Sequence, residues 1–357
     1  IADQWKHQKL DQHRSQQMGF SDLLIHAAVV QDGVIVGKNG SLMAAWRFSG
    51  SDTASSTEVE REATSQKLNQ ALSRLSNGWM IHVDSVREPV QSYSNPVFSH
   101  FPDPVSQAID DERRQYFETL GELYTSTFVI TLTYLPPLLV EQKFVEMMFD
   151  DQTHKPGEKE HTKSLLDYFV RECANFESRL STSFRVERLK SYKVENEDDS
   201  ETVYDNFLQW IQFCITGNNH PVILPRNPMF LDSLLGGQEM WGGVVPKVGK
   251  QFIQVVSIEG FPLESTPGML NILAELQGTY RWSTRYIFLD THVAVSHLDK
   301  YRKKWKQKVR GFFDQVFNLN SNYTDEDALR MTQDAQDAIA ETNSGLVGQG
   351  YYTSCII

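Results

Sequence analysis

Four groups of residues could do chemistry, and each is testable against the spacing its chemistry needs. A nucleotide-phosphate loop requires G-x-x-x-x-G-K-[ST], because backbone amides wrap the phosphates, the lysine neutralises them and the hydroxyl holds Mg²⁺. The nearest approach, Gly243-Val244-Val245-Pro246-Lys247-Val248-Gly249-Lys250-Gln251, has five residues between its glycines and Gln where the hydroxyl belongs. It also reads as a hairpin rather than a helix start, so no ATP site is expected here. Asp290, His292, His297 and Asp299 offer metal-ligand chemistry. On a helix, however, two histidines five residues apart point about 140° away from each other and cannot grip one ion unaided. Asp290 reads more economically as a helix N-cap. Cys173, Cys214 and Cys355 are odd in number and widely spaced, giving neither a disulfide framework nor a C-x-x-C pair. No G-x-S-x-G motif is present and no cysteine sits beside a partner histidine in sequence. A dispersed catalytic site would show itself only as a deep pocket with converging polar groups.

The fourth group is the most unusual. Lys300, Arg302, Lys303, Lys304, Lys306, Lys308 and Arg310 put seven basic residues into an eleven-residue run with no acid, and Trp305 sits among them. The run suits phosphate binding with an aromatic platform, docking on an acidic protein or lipid surface, or simply a solvated helix face with Trp305 turned inward. Arg281 and Arg285 lie on one face of an alternating strand, with Tyr280, Trp282, Tyr286 and Phe288 on the other. Stacked arginines need carboxylate, phosphate or carbonyl partners. Pairing with acids of an adjacent helix is the simpler expectation, a subunit contact the functional one.

The elements that must position these groups follow from pattern and composition. The chain has 357 residues and a net charge of −12, with 40% hydrophobic and 22% charged residues, a globular profile long enough for two domains. The uncharged run Leu123–Val140 is threonine-rich and contains Pro136-Pro137, so it fails as a membrane helix. Residues 1–19 read as a polar tail. Two apolar runs between Ala28 and Gly50 flank Lys38-Asn39-Gly40, a hairpin signal. Ser55 and Glu58 could form a capping box for a helix whose stripe is Leu68, Ala71, Leu72 and Leu75, ending at Asn77-Gly78. A strand over Trp79–Arg87, a helix over 104–124 opened by Pro104, and the alternating strand Phe128–Tyr134 complete residues 20–150.

A composition break at Asp150–Lys159 suggests a boundary. Beyond it the pattern predicts a helix over 159–180, a strand over 184–194, an acidic solvated loop over 195–201 and a helix over 203–215. There follow a hairpin turning at Gly249, a helix over 267–276 capped by Thr266, a strand over 279–289 and helices over 291–317 and 324–342. The repeated order of hairpin, helix, strand and helix predicts an α+β fold of two lobes, residues 20–150 and 151–345. Residues 346–357 read as a strand running on into a further domain. The cysteine usage fits a reducing, cytoplasmic setting.

Several of these residues together resemble a family. Gly260-Phe261-Pro262, Thr266-Pro267-Gly268 opening a helix, Tyr280-Arg281-Trp282-Ser283-Thr284-Arg285 and Leu289-Asp290 look like the amino-terminal region of the TrbE/CagE-type conjugal transfer ATPases, the large ATPases of type IV secretion systems. Lys38-Asn39-Gly40-Ser41 leading to Trp46-Arg47-Phe48-Ser49-Gly50, Gly78-Trp79 with Arg87, and Phe101-Pro102-Asp103-Pro104 with Asp111-Glu112-Arg113-Arg114 add to it, as does Tyr134-Leu135-Pro136-Pro137. The similarity runs from about residue 20 to Ile357, and its weight lies in the ordered set. It implies a RecA-like motor domain carboxy-terminal to this region, holding ATP and Mg²⁺. The region present would be a docking scaffold at the cytoplasmic face of the inner membrane, bound to membrane subunits and to further copies in a hexamer. No catalytic residue of the family can be carried onto any position here. The rival from a different class is a nucleic-acid-binding module using residues 300–310.

Overall fold

Leu42-Met43-Ala44-Ala45-Trp46 shows no apolar–polar alternation, the pattern of a strand covered on both faces. It lies inside the sheet that organises the fold. The computed structural model describes residues 19–50, 55–90, 93–136, 156–196, 200–225, 229–258, 269–316, 326–345 and 347–357. In chain order the elements are α1 (Phe20–Leu23), β1 (His26–Gln31), β2 (Val34–Gly37), β3 (Leu42–Ser49), α2 (Glu58–Leu72), β4 (Trp79–Pro89), α3 (Pro104–Thr119), β5 (Tyr124–Tyr134) and α4 (Pro156–Leu180). There follow β6 (Arg185–Arg188), β7 (Ser191–Glu195), β8 (Glu201–Asp205), α5 (Asn206–Thr216), α6 (Leu231–Leu235), β9 (Met240–Trp241), β10 (Lys247–Val248), β11 (Gln251–Phe252) and β12 (Val256–Ser257). The chain closes with β13 (Tyr280–Phe288), α7 (Thr291–Val316), α8 (Glu326–Ser344) and β14 (Gly350–Ile356).

The main sheet is antiparallel, ordered β1-β2-β3-β5-β4-β13-β14-β12, with β6 also pairing β3. Strands from both expected lobes therefore share one sheet, β13 lying directly on β4. The boundary expected at 150–159 falls mostly in residues outside those described, as do the tail and Thr266-Pro267.

Period-2 geometry sends Ala44 and Trp46 to one face of β3 and Met43 and Ala45 to the other. The first face buries Trp46, Leu132, Trp79, Ile81 and Phe288 against Phe169, Cys173 and Phe176 of α4 and Ala71 of α2. Phe169, Cys173, Phe176 and Leu180 recur at helical spacing, which is why α4 lies on the sheet. The second face buries Ile35, Met43, Ala45 and Val129 against Phe207, Leu208 and Ile211 of α5 and Leu231 and Leu235 of α6. The start of α5 is fixed by Asp205, whose carboxylate accepts from Phe207 N–H and Leu208 N–H, both at 2.8 Å. Gly217, at φ 72°, ends it.

The expected α+β class holds, and several boundaries move. The hairpin before Gly50 is a three-stranded meander: Asn39-Gly40 turns as expected, and Asp32-Gly33, an equally good two-residue turn with Gly33 at φ 68°, adds a second. The capping box of α2 is Thr57 with Glu60, not Ser55 with Glu58, and the helix ends at Leu72. Helix α3 stops at Thr119, ahead of Gly121 at φ 75°. The strand expected over 184–194 splits at Leu189-Lys190, and Val203 belongs to β8 rather than to a helix. Glu195 and Glu201, read as ends of a loop, face each other across the β7–β8 hairpin, where Glu201 pairs with Lys193 at 2.6 Å. Of the helix expected over 267–276, the described part is a short 3₁₀ turn, Asn271–Glu275.

Candidate interaction surfaces

Helix α7 forms as its periodicity requires, and α8 packs back against it. Ala294, Leu298 and Trp305 fall within about 40° of one another on one face of the helix. Ala294 is buried and Trp305 half-buried, so the tryptophan is turned inward and is not a free stacking platform. Lys300, Lys303, Lys304 and Lys306 are exposed, whereas Arg302 is half-buried. One acid just outside the basic run changes its electrostatics. Asp299 accepts from Arg302 at 2.6 Å and meets Lys303 Nζ at 2.7 Å. Lys303, then Arg302, hold its carboxyl below the usual carboxylate range. Two of the cations are thereby engaged within the helix, and Lys300, Lys304 and Lys306 remain as its cationic surface. Lys308 and Arg310 lie on α7, with side chains outside the described residues. Asp290, expected to cap this helix, accepts from Asn77 N–H at 3.1 Å and so ties the start of α7 to the turn before β4.

The two arginines of β13 separate. Arg281 is mostly buried and lies 3.8 Å from Asp84 Oδ1 on neighbouring β4. Its partner is thus an acid of an adjacent strand, not of a helix as expected, because β4 pairs with β13 along its length. Burial pushes the Asp84 carboxyl up, and Arg281 opposes that shift. On the same face His82 is held down to about 4 by burial and by Arg285 and Arg281. Arg285 is exposed and makes a long 3.5 Å hydrogen bond to Thr353 Oγ1, which leaves it the more available of the pair.

The remaining chemical candidates do not assemble. His297 faces Tyr351, its Nδ1 2.9 Å from the phenol oxygen, while His292 is exposed; among the described residues no group of three or more potential ligands could hold a metal. The Gly243–Gln251 segment holds β10 and runs into the start of β11, a strand and not a helix. Gly249, at φ 56°, sits in the turn between these two strands, with the Gln238 side chain close over it. Burial pushes the Cys173 thiol up to about 12, which makes it inert as a nucleophile at neutral pH. A hollow of about 680 Å³ lies along α4 between Tyr134 and Arg171, and a cleft of about 170 Å³ lies beside Arg47, Thr127 and Trp210.

One surface was not legible as such in the sequence. Between the ends of β4 and β5, residues 93–123 form an arm whose base is closed by Val90 N–H donating to Leu123 O at 2.7 Å. Asp103 caps α3 through Val105 N–H and Ser106 N–H, with Pro104 at the first helical position. Arg114, 9% exposed, holds the arm together: it pairs with Asp110 at 2.8 Å and Asp111 at 2.9 Å and lies over the Tyr93 ring, whose hydroxyl donates to Asp110. Away from this clamp Val105, Ile109 and Tyr116 form one stripe at helical spacing, 55–66% exposed, with Val97 and Phe98 exposed nearby. An exposed apolar stripe on an arm held together by its own ion pairs is the chemistry of a protein contact. Its only sequence signal was the stripe itself, which reads alike for a core-facing helix.

Comparison with known proteins matches two stretches of the chain. Residues 33–140 match the model described as the N-terminal domain of the type IV secretion system ATPase VirB4/TrbE, and residues 188–357 match that of the CagE, TrbE, VirB family, component of type IV transporter system. The conjugal transfer protein TrbE of Rhizobium radiobacter is 41% identical over 339 residues, which are 95% of this chain and 41% of that protein. Two Sinorhizobium fredii proteins, described as parts of a probable conjugal transfer protein TrbE, are 44% identical over 194 residues and 42% identical over 127, the latter covering 85% of its relative. The chain spans under half the length of the Rhizobium protein. On these matches the chain belongs to the CagE, TrbE, VirB family of type IV transporter components and includes the VirB4/TrbE N-terminal domain.

Proposed function

We propose that this chain is the docking scaffold of a conjugative-transfer ATPase, joining a nucleotide-driven motor to inner-membrane subunits of the secretion apparatus at the cytoplasmic face. The observation that carries the reading is the α3 arm: Val105, Ile109 and Tyr116 stand exposed on a helix clamped by Arg114. ATP and Mg²⁺ belong to the motor domain of the longer protein, and transfer or pilus assembly is the work its hydrolysis drives. Further copies, in a hexamer of the whole protein, are the second class of partner. No described helix is long and apolar enough to cross a membrane, and in this reading protein contacts hold the scaffold in place.

The test is a pull-down of the small membrane-embedded subunits by the purified chain and by a Val105→Ser/Ile109→Ser/Tyr116→Ser variant. These side chains face solvent, so the variant keeps the parent's circular dichroism while capture falls at least about tenfold, as loss of a small apolar hot spot requires. Equal capture by the two proteins refutes the docking role of the arm.

The exposed lysines of α7 favour a second reading, a nucleic-acid contact. Replacing Lys300, Lys304 and Lys306 with Ala then weakens DNA binding and flattens the plot of log affinity against log salt by roughly 2–3 units, about 0.9 for each phosphate no longer neutralised. No binding by the parent chain at low salt disposes of it.

A further inference from the structure

We propose that the small sheet β9–β11 and its connecting loop form a finger that seats on an anionic lipid surface. Its register places Trp241, Lys247 and Phe252 side by side, Lys247 pairing with Trp241 on one edge and Phe252 on the other. All three therefore project from one face, with Lys247 Nζ 5.3 Å from the Phe252 ring centre. The opposite face is anchored by Val248, 1% exposed. Gly249 N–H donates to Glu239 O at 2.9 Å and Ile253 N–H to Pro246 O at 2.8 Å, so the finger is braced by its own backbone. At its tip Gly242-Gly243 carry Val244 and Val245 outward, and Val244 is fully exposed while Trp241 and Phe252 are 63% and 69% exposed.

Charge selects the occupant. The chain carries −12 overall, yet residues 240–258 contain two lysines, Lys247 and Lys250, and no acid. Apolar side chains at a projecting tip, aromatic rings behind them and lysines that can extend toward phosphates match the layering of a bilayer interface. This contact does not depend on the proposed docking role, because neither α3 nor α7 contributes to it.

Co-sedimentation of the 357-residue chain with vesicles of phosphatidylcholine containing about 30% phosphatidylglycerol tests it, against pure phosphatidylcholine. The chain binds the anionic vesicles and binds the neutral ones roughly tenfold to thirtyfold more weakly, as two headgroup-facing lysines dictate. Val244→Asp/Val245→Asp, a change at solvent-facing loop positions, lowers binding at least about tenfold with circular dichroism unchanged. Lys247→Gln/Lys250→Gln removes the preference for phosphatidylglycerol. A variant with Lys300, Lys304 and Lys306 changed to Gln binds as the parent does. The proposal is overturned if the parent fails to bind, if the Val244→Asp/Val245→Asp variant binds equally, or if only the α7 variant loses binding. Vesicle-independent self-association that this loop variant abolishes would assign the finger to a second copy and equally overturn it.

Discussion

Trp46→Ala lowers the unfolding free energy by about 3–5 kcal/mol, the range for truncating a large aromatic in a close-packed core. Trp46 is wholly buried at the centre of β3 and holds three partners at once. Its ring meets Phe176 of α4 edge-on at 5.4 Å, its Nε1–H donates to Glu177 Oε2 at 2.9 Å, and the Arg188 guanidinium lies 5.6 Å from it. Alanine would leave a cavity between sheet and helix and strand the Glu177 carboxylate without its donor. Trp46→Phe keeps most of the volume and loses the hydrogen bond, for about 1–2 kcal/mol. Urea unfolding of the three proteins reads both numbers, and a loss below about 1 kcal/mol for alanine would mean that α4 does not rest on Trp46.

Acidification from pH 7 to pH 5 removes about 4 kcal/mol of stability through two half-buried histidines. His26 and His82 are each held down to about 4 from 6.5, by burial first, then by Lys38 at His26 and by Arg285 at His82. At pH 7 the native rings carry almost no proton, and in the unfolded chain only about a quarter of each is protonated. As pH falls through 6.5 the unfolded chain takes up protons that the native state refuses, and the loss grows until pH 4, where the native histidines titrate too. At pH 5 each accounts for roughly 2 kcal/mol. Asp84 and Asp205 work in the opposite sense, since burial raises both carboxyls and the native state gains on protonation. The histidine contribution is isolated by comparing the chain with His26→Gln/His82→Gln. The drop between pH 7 and pH 5 is smaller in the variant by about 4 kcal/mol, and equal drops would show that neither ring is buried uncharged.

Much of the secondary structure was legible locally. Asn39-Gly40 announced its turn because the pair tolerates positive φ, and Gly40 adopts 75°. Alternation in Phe128–Tyr134 and Tyr280–Phe288 located β5 and β13, and sorted Arg281 and Arg285 from Tyr286 and Phe288 correctly. Helices α4, α7 and α8 came within a few residues of their expected limits. Family membership was legible too, since ordered turn and packing residues survive without any single diagnostic motif.

What escaped the sequence are relations between segments. Asp84 and Arg281 lie almost two hundred positions apart, and only the pairing of β4 with β13 makes them partners. Val105, Ile109 and Tyr116 carry the same spacing as a core stripe; that they face solvent depends on α3 standing on an arm beyond the sheet. The basic run of α7 looked uniform until helical spacing brought Asp299 under Arg302 and Lys303. By itself the sequence determined the α+β character, the main turns and helices, and the family. Tertiary structure alone decided which charges are neutralised, which apolar faces remain open, and that strands of both halves share one sheet. Periodicity encodes how a segment is wound and which side is apolar, but what lies opposite that side is set by the long-range pairing of strands.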